Sequence, residues 1–176
     1  MKGFTLIELL IVIAILAILT TTVVLVLNPA QKLAKTRDSQ RMSDLNTVRK
    51  AIVLYLITAS SPTFTSGPFA QGVTSGGCLS LSGTCDYTRQ AIYLVNGTGW
   101  VGVNLGSIPS GSLLVTLPRD PVSDATYHYA YAASSTSLTF ELNAVFESSD
   151  NTSKMQNDGG NSNTVYEIGT APGLNL

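Results

Sequence analysis

The sequence contains few charged and few metal-binding residues. Charged residues make up 12% of its 176 residues, which is about half the share in a typical soluble domain. One histidine and two cysteines are present, and this excludes most zinc sites built from several His or Cys ligands. The sequence also lacks the His-Glu-x-x-His, Walker A and Gly-x-Ser-x-Gly motifs, which mark metalloproteases, nucleotide-binding proteins and α/β-hydrolases. We therefore do not expect an enzyme.

The few charges are unevenly distributed. Residues 1–28 hold one lysine and one glutamate, residues 29–60 hold six basic and two acidic residues, and residues 61–176 hold three basic and eight acidic residues. The net charge of −1 gives no overall basic field, and no aromatic residues are interleaved with the basic ones at positions 32–50. We therefore do not expect nucleic acid as a direct ligand.

A long apolar run stands near the start of the chain. Between Phe4 and Leu27 the only residues that are not apolar are Glu8 and four threonines. As a helix, this run would rise about 36 Å, enough to cross a bilayer core of about 30 Å. A secretory signal peptide is the alternative, but the run exceeds the usual length of about 7–15 residues and no clear small-x-small cleavage site follows it.

Glu8 is unusual in this apolar setting. A carboxylate at the centre of a bilayer costs roughly 2.5–3.5 kcal/mol on insertion scales, so Glu8 is expected to have a partner. The amino group of a chain cleaved just before Phe4 would be cationic and four residues away on the same helical face.

The first ten residues, Met-Lys-Gly-Phe-Thr-Leu-Ile-Glu-Leu-Leu, resemble the prepilin signal of type IV pilins and of type II secretion pseudopilins. The resemblance covers about 25 residues. It implies a leader peptide of residues 1–3, which a prepilin peptidase removes by cutting after Gly3, and methylation of the new amino terminus on Phe4. It also assigns Glu8, together with Phe4, to filament assembly.

The pattern beyond residue 28 predicts an α+β fold. The apolar helix is expected to continue past an interruption at Pro29 and to end before Pro62. Beyond Pro29, apolar residues at steps of three and four indicate that this continuation is amphipathic; they are Met42, Leu45, Val48, Ile52 and Tyr55. The predicted regions are a leader (1–3), a hydrophobic transmembrane and filament-core helix (4–28), its amphipathic continuation (29–60) and a globular β-rich head (61–176). The resemblance implies the pilin lollipop, in which the hydrophobic half of the long helix protrudes and the other half packs on a small antiparallel sheet.

Short apolar runs in the head are candidate strands, at 91–95, 100–103, 113–117, 127–133, 138–146 and 165–168. Tyrosines alternate in the fourth run, and residues 134–137 read as a hairpin turn between the fourth and fifth. Residues 61–90 and 147–164 are interpreted as surface loops. The single histidine, His128, lies in the alternating pattern and is interpreted as structural or exposed.

Two further sites are predicted in the head. Cys78 and Cys85 lie close together in a loop expected outside the cytoplasm, where disulfides persist, so we expect a bridge between them; free thiols or a metal pair are the alternatives. Oxygen-bearing side chains crowd a later loop and suit Ca²⁺, although such clusters are ordinary loop material. The candidate calcium ligands are Asp150, Asp158, Asn161 and Asn163.

The resemblance implies a structural filament subunit. We expect a single-pass protein of the cytoplasmic membrane that then polymerises with copies of itself into an extracellular type IV pilus for adhesion, motility or a related role. The implied partners are the prepilin peptidase and an inner-membrane assembly platform with its ATPase. The alternatives are a major pseudopilin of type II secretion and a minor or tip subunit with a binding role. The basic residues at 32–50 would contact anionic lipids before assembly or pair between subunits afterwards, with a solvated surface as the alternative.

Overall fold

A computed structural model describes residues 3–171 and 173–176, without the side chains of residues 22 and 24–27. Two helices come first, α1 (Leu6–Leu27) and α2 (Pro29–Thr58). Asn28 between them adopts a left-handed backbone conformation (φ 40°), and its side chain accepts a hydrogen bond from the Gln31 N–H at 3.3 Å. Pro29 stands at the start of α2, where its missing N–H costs no helical hydrogen bond. The long helix expected from the sequence is therefore divided in two, at the predicted interruption.

The end of α2 and its buried face agree with the sequence pattern. The helix ends at Thr58, and the Ala59 N–H closes it by donating to the Tyr55 carbonyl at 2.9 Å. The apolar residues of one face are buried, namely Leu45, Val48, Ala51, Ile52 and Tyr55. Met42, which was assigned to the same stripe, is only partly buried.

A four-stranded antiparallel sheet packs against this face. Its strands follow chain order from edge to edge: β1 (Phe69–Ala70), β2 (Tyr129–Ser134), β3 (Thr139–Ala144) and β4 (Tyr166–Gly169). In the central register Tyr131 lies opposite Phe69 on one side and Leu142 on the other. The Leu138 N–H donates to the Ser134 carbonyl at 2.9 Å and closes the predicted hairpin. The predicted α+β class with a small antiparallel sheet is confirmed.

Burial of β2 on both faces shows what lies on each side of the sheet. Tyr129, Tyr131 and Ala133 join the core under α2. Ala130 and Ala132, which point the other way, pack with Cys78 and other residues of the 61–90 segment. That segment was interpreted as a connecting loop, but it covers the second face of the sheet.

Three of the predicted strands are wrong. No strand forms at residues 91–95, 100–103 or 113–117. This part of the chain has one isolated bridge and a short 3₁₀ turn at Leu105–Ser107. Trp100, Val101 and Val103 are nevertheless buried in the core. Gly102 lets the segment pass close to another part of the chain, since a Cβ added there would lie 2.6 Å from the Thr65 carbonyl oxygen. The apolar character of this segment therefore reflects burial rather than strand pairing.

The 147–164 segment is partly ordered. It contains a 3₁₀ turn (Ser149–Asn151) followed by the short helix α3 (Thr152–Gln156). Asn151 and Met155 of these elements are buried. The segment is thus attached to the body, although most of its residues are exposed as expected for a surface loop.

Candidate functional site

Thr5 and Glu8 cap the start of α1. The Thr5 N–H and hydroxyl donate to Glu8 Oε2 at 2.9 and 2.8 Å, and the Glu8 N–H donates back to Thr5 Oγ1 at 3.3 Å. This reciprocal arrangement is a capping box, which satisfies two backbone N–H groups that a helix start leaves free. In the chain with its leader attached, Glu8 therefore has a local partner that the sequence analysis missed, although the Thr-x-x-Glu spacing was a signal for it.

The Gly3–Phe4 bond lies before α1 and is exposed. Phe4 exposes 85% of its surface, and a Cβ added at Gly3 would meet no atom within 4 Å. Cleavage at this bond stays a prediction, which the exposed position supports. Met1 and Lys2, the rest of the predicted leader, lie outside the described residues.

The described side chains of α1 form an apolar surface without a covering layer. Every described residue of α1 is exposed, including Leu6 at 83% and Ile18 at 66%. A helix that is apolar on all sides is normally buried, either in a protein core or in a membrane. The exposed α1 therefore lacks the apolar surroundings that its composition requires.

In the described part of the chain, no helix combines the length and the apolar character needed to cross a membrane. The predicted span over residues 4–28 includes residues 22 and 24–27, whose side chains lie outside the described set, and membrane insertion remains a prediction.

Comparison with known proteins identifies the start of the chain. Residues 1–24 match the family model described as the prokaryotic N-terminal methylation motif. The chain carries a prepilin-type N-terminus. This motif is consistent with the type IV pilin and pseudopilin family that the sequence resembles, and it indicates a structural protein that a prepilin peptidase processes. No curated protein and no solved structure matches the chain.

Beyond the prepilin motif, a buried charge cluster connects α2 to the body. Arg41 of α2 is fully buried. Its Nε and Nη2 donate to the two oxygens of Asp120 at 2.7 and 3.0 Å, and its Nη1 donates to Asp38 at 2.9 Å. Glu147 lies 2.7 Å from Nη2. Burial alone would lower the pKa of Arg41, but the carboxylates of Asp120 and Glu147 outweigh it and raise that pKa, so the guanidinium stays charged.

Each carboxylate around Arg41 has further hydrogen bonds. Asp38 accepts from the N–H groups of Glu147 and Ser148 and from the Asn151 amide, all at 2.9 Å. Asp120 accepts from two N–H groups of its own turn, residues 121–123. A buried charge is tolerated only when its hydrogen bonds are satisfied. The cluster meets this requirement and fixes two separate segments of the body to α2.

This geometry corrects the interpretation of the basic stretch at 32–50. Arg37 donates through Nε to Glu147 Oε1 at 2.8 Å, Lys35 lies 3.3 Å from Asp150, and Arg41 is buried among the carboxylates described above. Lipid contacts or charge pairs between subunits were expected of these residues. Arg37 and Arg41 pair within the chain instead, because the acidic body folds directly against the basic helix.

The predicted disulfide is present in the segment that covers the sheet. Cys78 and Cys85 are bonded, with Cα atoms 5.4 Å apart. His128 is fully buried beside this segment, with Nε2 3.1 Å from the Gly77 carbonyl oxygen and Nδ1 3.2 Å from that of Asp124. His128 thus ties the disulfide loop to the start of β2, which agrees with a structural role.

The four predicted calcium ligands are already engaged or exposed. Asp150 pairs with Lys35, and Asp158 accepts hydrogen bonds from the N–H groups of Gly160 and Glu167 at 2.9 and 2.8 Å. Asn161 and Asn163 are exposed. Among the residues that the structure describes, no group of three His, Cys, Asp or Glu side chains could hold a metal ion. Calcium binding by this loop stays a prediction, for which the described residues offer no preformed carboxylate cluster.

Proposed function

We propose that the chain is a major subunit of a type IV pilus. It would be held in the cytoplasmic membrane by α1 and would then polymerise with copies of itself through the same helix into an extracellular filament. The observation that carries the proposal is the exposed surface of the described residues of α1, which is almost entirely apolar and most of which lies within the prepilin motif. Moving this helix from lipid into a bundle of identical helices would keep its apolar surface covered throughout.

The proposal assigns roles to the residues at the start of α1. The peptidase would cut between Gly3 and Phe4. An inner-membrane assembly platform with its ATPase would then extract the processed chain from the membrane. The new amino group on Phe4 would then compete with Thr5 for the Glu8 carboxylate, in the same chain or in a neighbour. An ammonium–carboxylate hydrogen bond is stronger than the neutral ones that Thr5 supplies, which favours the exchange.

Electron microscopy and mass spectrometry of material sheared from cells test this function. We expect long fibres whose subunit begins at a methylated Phe4. A processed chain found only in the envelope would instead support the pseudopilin or the minor-subunit alternative. An intact Met1 in assembled material would contradict the assignment of the cleavage site.

A substitution tests the role of Glu8. We expect Glu8→Ala to insert into the membrane normally and to lower filament yield about tenfold or more, because a dry, hydrogen-bonded charge pair would lose one partner. Thr5→Ala is the control, since it removes the cap but keeps the carboxylate, and its filament yield should stay near that of the wild type. Normal filaments from Glu8→Ala would refute the assigned role.

A further inference from the structure

Three polar side chains lie buried on the second face of the sheet. Glu141 and Asn143 of β3 point to the same face because they are two positions apart, and Glu167 of β4 lies directly opposite Asn143 in the register. Glu141 is 1% exposed and the other two are fully buried. Residues 73–85, which we call the cover, and Leu176 pack over this face. The polar side chains are therefore enclosed between the sheet and the cover.

Each glutamate accepts hydrogen bonds from the segments that enclose it. Glu141 accepts from the Leu176 N–H at 3.0 Å. Glu167 accepts from the Ser80 hydroxyl of the cover at 2.7 Å and from the Ser162 N–H at 2.9 Å. The two carboxyl groups therefore connect the sheet to the cover, to the C-terminal segment and to the loop that contains Ser162.

No cation balances these two glutamates. Among the ion pairs of the described residues, neither Glu141 nor Glu167 takes part. Asp158 faces Glu167 and accepts from its N–H at 2.8 Å. Arg49 is exposed and lines the open cleft beside Glu167. The Arg41 cluster, in contrast, encloses its arginine. Two buried carboxylates without an enclosed cation are costly when both are ionised.

The amide of Asn143 shows that a hydrogen-bond donor is needed between them. Its Nδ2 donates to Glu141 Oε1 at 2.9 Å and contacts the Leu79 carbonyl and the Ser80 hydroxyl at 2.7 and 3.1 Å. Its Oδ1 is buried and has no donor among the described residues. An ionised carboxylate only accepts hydrogen bonds, whereas a protonated carboxyl group also donates. A proton on either neighbouring glutamate would supply the missing donor.

We propose that Glu141 and Glu167 retain a proton in the folded chain and that this proton holds the cover on the sheet. The proton separates two adjacent carboxyl groups that would otherwise repel each other. As the pH rises it leaves to the solvent, and both groups become carboxylates. Their repulsion and the unsatisfied Asn143 oxygen then favour opening of the cover. The inference concerns the body of a single chain and goes beyond the proposed function.

The backbone of the cover favours this opening. Leu79 and Ser80 are adjacent and both adopt a left-handed conformation, with φ of 51° and 70°, which residues other than glycine rarely adopt. This conformation places the Leu79 carbonyl on Asn143 and the Ser80 hydroxyl on Glu167. Opening lets both residues return to common backbone conformations, which adds to the repulsion between the carboxylates.

Other ionisable groups near the cover do not produce the same pH dependence. Tyr87 and His128 both contact Gly77 of the cover. Burial lowers the pKa of His128, and a histidine with a lowered folded-state pKa strengthens the fold as the pH rises. Hydrogen bonds from Thr88 lower the pKa of Asp86, so Asp86 stays ionised above about pH 4. The glutamates behave in the opposite way to His128, because burial raises their pKa values.

Hydrogen exchange of the full chain in detergent, measured by mass spectrometry between about pH 5 and pH 9, tests the proposal. After correction for the intrinsic exchange rate, protection of residues 73–85 should fall by up to about tenfold for each pH unit over which one proton is lost. Glu141→Gln and Glu167→Gln resemble the protonated group and supply an N–H donor, so protection in them should change little. Asp86→Asn is the matched control, since it neutralises an acid that is ionised throughout, and it should keep the wild-type profile.

Three outcomes would overturn the proposal. The first is wild-type protection of the cover that stays within about twofold of that in both glutamine variants at every pH. The second is an equal loss of protection in α2, which would show global unfolding instead of opening of the cover. The third is a rise in wild-type protection at about pH 9 on addition of Ca²⁺ or Mg²⁺ that both glutamine variants lack, because the pair would then hold a metal ion in place of the proton. Formation of the Cys78–Cys85 disulfide on non-reducing gels would show that the variants fold.

Discussion

Removal of the Arg41 guanidinium should strongly destabilise the body. Arg41→Met keeps most of the side-chain volume but leaves Asp38 and Asp120 without their cation, and these carboxylates are 0% and 3% exposed. Breaking a buried pair in this way typically costs about 3–5 kcal/mol. Because a domain of this kind is stable by about 5–15 kcal/mol, we expect the variant to lose roughly a fifth or more of its free energy of unfolding.

Urea unfolding of the full chain in detergent can measure this loss. Trp100 is the sole tryptophan, is fully buried, and its indole donates to the Pro118 carbonyl at 3.2 Å, two residues from Asp120. Its fluorescence therefore reports on the region that Arg41 fixes. Arg49→Met is the matched control on the exposed face of the same helix, and we expect it to change stability by less than about 0.5 kcal/mol.

A second substitution distinguishes the charge from the packing of Arg41. In Arg41→Met with Asp120→Asn one uncompensated charge is gone, while the amide oxygen can still accept from the N–H groups of Val122 and Ser123. The double variant should therefore recover at least about 1 kcal/mol relative to Arg41→Met. This reasoning would be refuted if Arg41→Met lowered the free energy of unfolding by less than about 1 kcal/mol. It would also be refuted if the loss in the double variant equalled the sum of the losses in the Arg41→Met and Asp120→Asn single variants.

The same cluster makes the stability of the body depend on pH. Hydrogen bonds from Arg37 and then Arg41 lower the pKa of Glu147. A carboxyl group with a lowered folded-state pKa adds stability above its ordinary pKa, and this stability is lost as the pH falls through the lowered value. The wild type should therefore lose stability on acidification more steeply than Arg41→Met does.

Two further predictions concern the other side of the sheet. Replacing Cys78 and Cys85 together by Ser should lower the free energy of unfolding by roughly 2–3 kcal/mol, because the disulfide closes a short loop in the unfolded chain. A reducing agent should lower the melting temperature of the wild type but not that of the double variant. Equal melting temperatures in all samples would contradict this prediction. Burial raises the pKa of both Glu141 and Glu167, so the stability they provide is present at low pH and lost as the pH rises through the folded-state values. Glu141→Gln should therefore melt higher than the wild type at about pH 8 and equally at about pH 4, whereas the same change at both pH values would argue against a titrating group.

Features that the sequence made predictable have a strong local signal. The break at Asn28–Pro29 follows from the geometry of proline, and the buried face of α2 follows from apolar spacing. The β2–β3 hairpin follows from alternation in both strands with a Ser-rich turn between them. The apolar α1 behind a Gly-Phe-Thr-Leu-Ile-Glu sequence was sufficient to indicate the prepilin motif.

Features that the sequence did not reveal depend on distant residues. Arg41 lies 79 residues from Asp120 and Arg37 lies 110 from Glu147, so no local pattern shows that they meet. β1 has two residues, too few for any periodicity. The buried segment around Trp100 looked like strands because short apolar runs do not distinguish strand pairing from burial of an irregular chain.

The two faces of α2 differ in what they contribute to the fold. Positions 48, 51, 52 and 55 face the sheet, and the Arg41 cluster, about two turns before position 48, attaches the body by charge. Positions 49, 50 and 57 face outward and are exposed. A substitution on the first face should therefore unfold the body, whereas one on the second should leave the body folded. Comparing Ile52→Asp with Ile57→Asp, five residues apart on different faces of the helix, tests this difference directly. Disulfide formation and a cooperative melting transition should be lost only in Ile52→Asp, and loss of both in both variants would contradict it.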